Sequence, residues 1–265
     1  MFRPKKSLGQ NFLIDKNIIK KILNLTDLKK KNIVEIGPGT GNLTNEILKI
    51  DINNLITIEK DKRLSEELKK KNVLNKKFKV YNEDILKFNL EDKIKENTII
   101  LGNLPYNISS QILIKLIKFK LWPPKYKKLI FMFQKEVAEK IIADYKTPEF
   151  GRLSIVTNWR LKIVDYFNIS KNSFFPKPKV DSTILVFEPK KINKISIKKI
   201  ESLEYITQAF FSSKRKMINK VINKNFKNPE MIIQKLNLDA SKRPSDLTTE
   251  TYYKLTELFE KSKFN

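Results

Sequence analysis

The sequence predicts an α/β fold: a mostly parallel sheet with helices on both faces, followed by a small helical domain. Three observations predict it. Short apolar runs alternate with helical patterns through the first two thirds of the chain, the signature of repeated βαβ units. A glycine-rich segment closes the first of these runs and opens a helix. Beyond about residue 200 the pattern is helical only, with breaks near Pro229 and Pro244.

In chain order, residues 32–36 (Asn-Ile-Val-Glu-Ile) form a buried strand and residues 41–50 a helix. Residues 55–59 form a second strand, followed by a charged helix over 61–71. Further strands are expected at 78–81, 98–101, 128–133 and 153–159, with helices near 108–118 and 134–144. Residues 180–187 form the last strand, set off by Pro176, Pro178 and Pro189, and 190–199 is a charged linker. The expected domains are therefore 1–189 and 190–265.

Composition removes whole mechanisms. The 265 residues contain neither Cys nor His, so disulfides, a Cys nucleophile, a His base and the usual zinc sites are all excluded, and no metal is expected. Catalysis falls to carboxylates, amides, hydroxyls, lysine or backbone groups. Apolar runs are too short to span a membrane, and Met1-Phe2-Arg3-Pro4-Lys5-Lys6 lacks the apolar stretch of a signal peptide, so the expected compartment is the cytoplasm. The net charge of +25 points to a polyanionic partner, although 48 of the 54 basic residues are Lys, a bias that an A+T-rich genome also produces. The charge is spread evenly over both expected domains and does not localise that partner.

Three features at the ends of successive strands form a candidate cofactor site, where open α/β sheets bind ligands. The loop Glu35-Ile36-Gly37-Pro38-Gly39-Thr40-Gly41 is G-x-G-x-G, not the G-x-G-x-x-G of dinucleotide folds, and the acid before it argues against a pyrophosphate. A cationic sulfonium with a zwitterionic tail suits it better, although such a loop is also an ordinary strand–helix turn. Glu59, 22 residues after Gly37, can accept from ribose hydroxyls. Asp84 can accept from an adenine amino group, although alone it is more often a helix cap. The ligand these features predict is S-adenosylmethionine.

Asn103-Leu104-Pro105-Tyr106 follows the fourth strand. An adenine amino nitrogen is a poor nucleophile because its lone pair is delocalised into the ring. The Asn103 side-chain carbonyl and a backbone carbonyl, that of Leu104, can hold its two hydrogens and draw it toward tetrahedral geometry. Pro105 fixes the turn and Tyr106 offers a face for the base to stack on. Lys214-Arg215-Lys216, placed on a helix, and Arg243 are candidate RNA contacts.

With these residues in place, the chain resembles the small-subunit ribosomal RNA adenine dimethyltransferase family. The resemblance extends to Lys6-Ser7-Leu8-Gly9-Gln10-Asn11-Phe12-Leu13, Gly151-Arg152-Leu153-Ser154, Phe174-Phe175-Pro176-Lys177-Pro178-Lys179-Val180-Asp181-Ser182, Phe211-Ser212-Ser213-Lys214-Arg215-Lys216 and Arg243-Pro244-Ser245-Asp246-Leu247, essentially the whole chain. It implies a Rossmann-like class I methyltransferase sheet with a small C-terminal helical domain that recognises rRNA. It implies cofactor contacts at Asn11, Leu13, Gly37, Gly39, Glu59, Asp84 and Asn103, and a Phe174 that packs on the target base opposite Tyr106. The implied reaction is dimethylation of two adjacent adenosines near the 3′ end of small-subunit rRNA, within a pre-ribosomal small subunit, by a monomer. The alternatives are the related large-subunit rRNA adenine methyltransferases of macrolide resistance and a non-catalytic rRNA-binding or transcription factor on the same fold.

Overall fold

The computed structural model describes residues 3–191 and 195–263. Met1 and Phe2 of the N-terminal run, and residues 192–194 of the expected linker, lie outside them. In chain order the elements are β1 (Phe12–Leu13), α1 (Lys16–Leu23), β2 (Asn32–Ile36), α2 (Asn42–Ile47), β3 (Asn54–Ile58), α3 (Lys62–Lys71), β4 (Phe78–Tyr81), β5 (Thr98–Asn103), α4 (Ser109–Ile117), β6 (Tyr126–Gln134), α5 (Lys135–Ile142) and α6 (Arg152–Arg160). They continue with β7 (Leu161–Ile169), β8 (Phe174–Phe175), β9 (Ser182–Pro189), α7 (Ile200–Phe211), α8 (Ile218–Asn225), α9 (Pro229–Lys235) and α10 (Thr249–Lys263).

Seven strands form one sheet in the order β4-β3-β2-β5-β6-β9-β7. From β4 to β6 every neighbouring pair is parallel, and β9 runs antiparallel to β6. The inner strands are near-continuous apolar runs because helices cover both faces: Ile33, Val34 and Ile36 of β2, Ile99 to Leu101 of β5 and Leu129 to Phe133 of β6 are all buried. The chain steps from β2 outward to β4, then returns to the other side of β2 as β5. That reversal is a topological switch point, and the crevice beyond the carboxyl ends of β2 and β5 is where such sheets bind ligands.

The segment expected as a strand at 153–159 is instead helix α6. Ile155, Val156 and Thr157 favour a strand by propensity, but a short apolar run buried on every side has no period to tell strand from helix. Local chemistry decides it: Ser154 Oγ donates to Gly151 O at 2.9 Å and accepts from Gly151 N–H at 3.3 Å, closing the first turn. The helix then buries Ser154 through Thr157 and Trp159. Strand β7, to which the sequence reading assigned nothing, takes the sheet edge beside β9.

The chain forms two compact units, 1–138 with 162–189, and 139–161 with 190–265. The expected division at 189/190 is thus one of three crossings, and residues 139–161 fall with the helical unit. Their aromatic side chains explain why. Phe150 packs edge-on against Phe211 and tilts against Tyr252, with ring centroids 6.0 and 6.5 Å apart. Trp159 meets Tyr253 at 4.9 Å, and Tyr253 Oη donates to Ile155 O at 3.0 Å.

Candidate active site

Strand register brings the chemistry-bearing residues together. Ile36 pairs with Ile58 on one side and with Gly102 on the other, and Ile58 pairs with Tyr81. Gly37, Glu59, Asn103 and the segment leading to Asp84 therefore leave the sheet side by side, and all four residues line one cavity with Asn11, Leu13 and Gly39. Gly37 and Gly39 have φ of +69° and +57°, the left-handed region that costs an ordinary L-residue ~1–2 kcal/mol. A Cβ on Gly39 would also lie 2.8 Å from the Phe12 ring, so the loop is a cradle that only glycine leaves open. Gly102 is as constrained: its Cβ would lie 2.9 Å from Ile36 O.

Glu59 is buried, with Oε2 accepting from Gly39 N–H at 3.0 Å and Oε1 from Asp61 N–H at 2.8 Å. Burial raises its carboxyl, and those two amides pull it back. Each oxygen keeps a further lone pair, so the group can hold the loop and still accept from a ligand's hydroxyls. Asp84 has two roles at once. Its Oδ1 accepts from Leu86 N–H at 2.9 Å, the cap reading, while Oδ2 pairs with Lys60 at 2.8 Å on the cavity wall. The Lys60 bond holds its carboxyl below the usual range. This donor set, an acidic pair beside a glycine cradle without basic side chains other than Lys60 on the cavity wall, fits a nucleoside carrying a sulfonium better than a phosphate.

Asn103 ends β5 and donates Nδ2–H to Asn11 O at 2.8 Å. That bond commits the amino end of the side chain, so Oδ1 is the end left to accept. Leu104 is buried, and Pro105 O accepts from Ile108 N–H at 3.1 Å as the loop turns into α4. The Tyr106 hydroxyl lies 2.6 Å from Ser182 Oγ, which pins the ring to the start of β9. Burial raises the phenol, so it stays protonated.

Phe174 is not brought into the cavity. It is 3% exposed, pairs with Leu13 in the two-stranded β1–β8 ladder and packs with Ile19 and Ile22 in the core, whereas Phe175 is exposed. Of the candidate RNA contacts, all lie in the second unit and Arg215, Lys216 and Arg243 are exposed. Lys214, Arg215 and Lys216 are not on a helix but in the turn between α7 and α8, and the Lys214 ammonium donates to the carbonyls of Pro148 and Phe150. A Lys has three N–H donors, and two are spent holding residues 148–150. Lys214 is thus a structural staple with at most one donor left over, whereas its neighbours Arg215 and Lys216 are exposed.

The sequence offered Glu35 only as an argument against a pyrophosphate and gave Gln10 no role of its own. Glu35 is fully buried, its Oε2 accepting from Thr44 Oγ1 at 2.6 Å. Burial raises its carboxyl from 4.5 to about 7 against the Thr44 bond, with Glu59 adding repulsion. The native state then holds this proton more tightly than the unfolded chain, so the Glu35 contribution to stability is full below about 4.5 and declines as pH rises toward 7. In urea unfolding, the stability of the parent relative to Glu35→Gln is expected to fall across that window by on the order of a few kcal/mol. A difference independent of pH would refute it.

The family described as "Ribosomal RNA adenine dimethylase" matches residues 1–261. A protein of Pelagibacter ubique, "Ribosomal RNA small subunit methyltransferase A", is 42% identical over 261 residues, covering 97% of each chain. Among solved structures, a dimethyladenosine transferase from Plasmodium falciparum superposes with a TM-score of 0.78 at 28% identity, covering 95% of this chain and 97% of that one. The 23S rRNA methyltransferase ErmE has a TM-score of 0.67 at 22% identity, covering 95% and 99%, a likeness of fold alone.

Proposed function

Because the chain belongs to the ribosomal RNA adenine dimethylase family, we propose that it dimethylates the N6 amino groups of two adjacent adenosines near the 3′ end of small-subunit rRNA, with S-adenosylmethionine as methyl donor. The single observation that carries the reading is the Ile36–Gly102 pairing, which sets Asn103 beside the glycine cradle. When bound, S-adenosylmethionine supplies an electrophilic methyl group already activated by its sulfonium. Glu59 accepts from the ribose hydroxyls and Asp84 from the adenine amino group, while Gly37 and Gly39 let the backbone approach closely.

On the substrate side, Asn103 Oδ1 and Leu104 O accept the two amino hydrogens of the target adenine. That draws the nitrogen toward tetrahedral geometry and frees its lone pair. Tyr106, fixed by Ser182, provides the stacking face. No base is needed before transfer, because the proton leaves the more acidic methylated nitrogen afterwards. Positioning and electrostatics therefore provide most of the acceleration. Phe174 would reach the base only if the β1–β8 ladder shifted, so its part in stacking rests on the family resemblance.

The second unit, with Arg215, Lys216 and Arg243 exposed, binds the rRNA backbone of a pre-ribosomal small subunit in the cytoplasm, and the protein acts as a monomer. The name of the Pelagibacter relative favours the small over the large subunit. Among the described residues no helix is long and apolar enough to cross a membrane, and no His, Cys, Asp or Glu cluster suits a metal. Labelled methyl from S-adenosylmethionine is expected to enter under-methylated small subunits at paired adenosines, mapped by primer extension, with activity that falls steeply as salt rises. Label in large subunits only, or none, would overturn this reading.

A further inference from the structure

The N-terminal residues 7–13 form part of the cavity wall, yet the chain there holds only a single turn of 3₁₀ helix and the two residues of β1. Its far end is anchored by buried Phe12 and Leu13 in the β1–β8 ladder, whereas what ties down the stretch before them is polar. On one side stands Asp61, whose side chain is fully buried. Its Oδ2 accepts from Gln10 Nε2 at 3.1 Å and from Arg63 Nη2 at 2.7 Å, and its Oδ1 faces Lys5 Nζ at 3.5 Å. Gln10 Oε1 in turn accepts from Lys5 N–H at 2.7 Å, so the strap's first turn is closed through the same side chain. On the other side, Asn11 O takes the Asn103 amide and Leu13 O takes Asn42 Nδ2–H at 2.7 Å.

We propose that Asp61 is a positioning residue that latches the N-terminal strap over the cavity through Gln10 and Lys5, and that the latched strap fixes the orientation of the Asn103 amide. This rests on the function proposed above. The coupling follows from connectivity. Asp61 N–H donates to Glu59 Oε1, the proposed ribose acceptor, and two strap residues beyond Gln10 and Asn11 reach β1. One residue thus joins the acceptor of the cofactor's ribose to the segment that holds Asn103. The Arg63 guanidinium keeps the Asp61 carboxyl well below the usual range, so the latch stays charged at any physiological pH. Lys5 and Arg63 remain about half exposed, so the latch can open to water.

Gln10→Glu tests this in the full chain. It sets a carboxylate against buried Asp61 while leaving the Asp61 cap on Arg63 N–H and its link to Glu59 intact. Tryptic cleavage after Lys5 and Lys6 is expected to quicken several-fold, S-adenosylmethionine affinity by equilibrium dialysis to weaken ~10-fold, and kcat at saturating donor to fall too. Gln10→Met, which removes the bond without adding charge, is expected to lie between. A merely structural Gln10 would change the unfolding midpoint but neither the cleavage rate nor kcat. Parent-like cleavage and affinity in Gln10→Glu would overturn the latch. If the parent itself failed to bind S-adenosylmethionine, the functional reading would fall, and the cleavage comparison would still decide the latch: faster cutting upholds it, equal cutting refutes it.

Discussion

Asn103→Ala is expected to lower methyl transfer by ~10²–10³-fold at saturating donor, with rRNA binding and fold retained. The side chain spends Nδ2–H on Asn11 O, and in the proposed mechanism Oδ1 accepts from the substrate amino group, an interaction that strengthens as that nitrogen becomes tetrahedral. Contacts made mainly in the transition state act on the chemical step, so single-turnover transfer to under-methylated small subunits is the measurement. Asn103→Asp separates the two ends of the side chain: it keeps an acceptor but sets a carboxylate against Asn11 O, and should be nearly as slow. Tyr106→Phe keeps the ring but strands buried Ser182 Oγ, so a smaller loss is expected than for Tyr106→Ala. Turnover of Asn103→Ala at the parent rate would remove the mechanism.

Glu59→Ala is expected to weaken S-adenosylmethionine binding by roughly 10–100-fold, the loss of a charged acceptor worth about 1.5–3 kcal/mol. It also removes the acceptor of two buried amides, those of Gly39 and Asp61, so the apo protein should lose stability as well. Glu59→Gln retains one acceptor oxygen but aims an amide at an N–H, and should fall between. Titration calorimetry and thermal unfolding read the two effects separately, while filter binding to rRNA should change little. Unchanged donor affinity would take Glu59 out of the site.

Much of this was legible because it is local. The inner strands announce themselves as apolar runs, and the glycine loop, Glu59, Asp84 and Asn103 stand at strand ends, which the parallel register then aligns. What was not legible depends on distant partners. The 153–159 run has strand composition, but Ser154 and the aromatic side chains of α10 make it a helix. Strands of two residues, β1 and β8, have no period to detect. Lys214 looks like any other basic residue until the carbonyls 64 and 66 positions away are seen to occupy it. The Asp61–Gln10 bond spans 51 residues, and no motif spacing encodes it.

The helical unit is assembled from two stretches of chain, and this sets a timetable for its birth on the ribosome. Phe150 and Trp159 are synthesised about a hundred residues before the end of α10, which carries Tyr252 and Tyr253. At ~5–20 residues per second, that interval is roughly 5–20 s. Part of the cover of α6 comes with α7, but the aromatic contacts made by Phe150 and Trp159 to Tyr252 and Tyr253 wait for α10, and β7 and β9 must join the sheet while an unfinished excursion hangs between them and β6. Nascent chains halted between residues 190 and 250 should therefore be the species that chaperones hold longest, and completion of α10 the event that releases them.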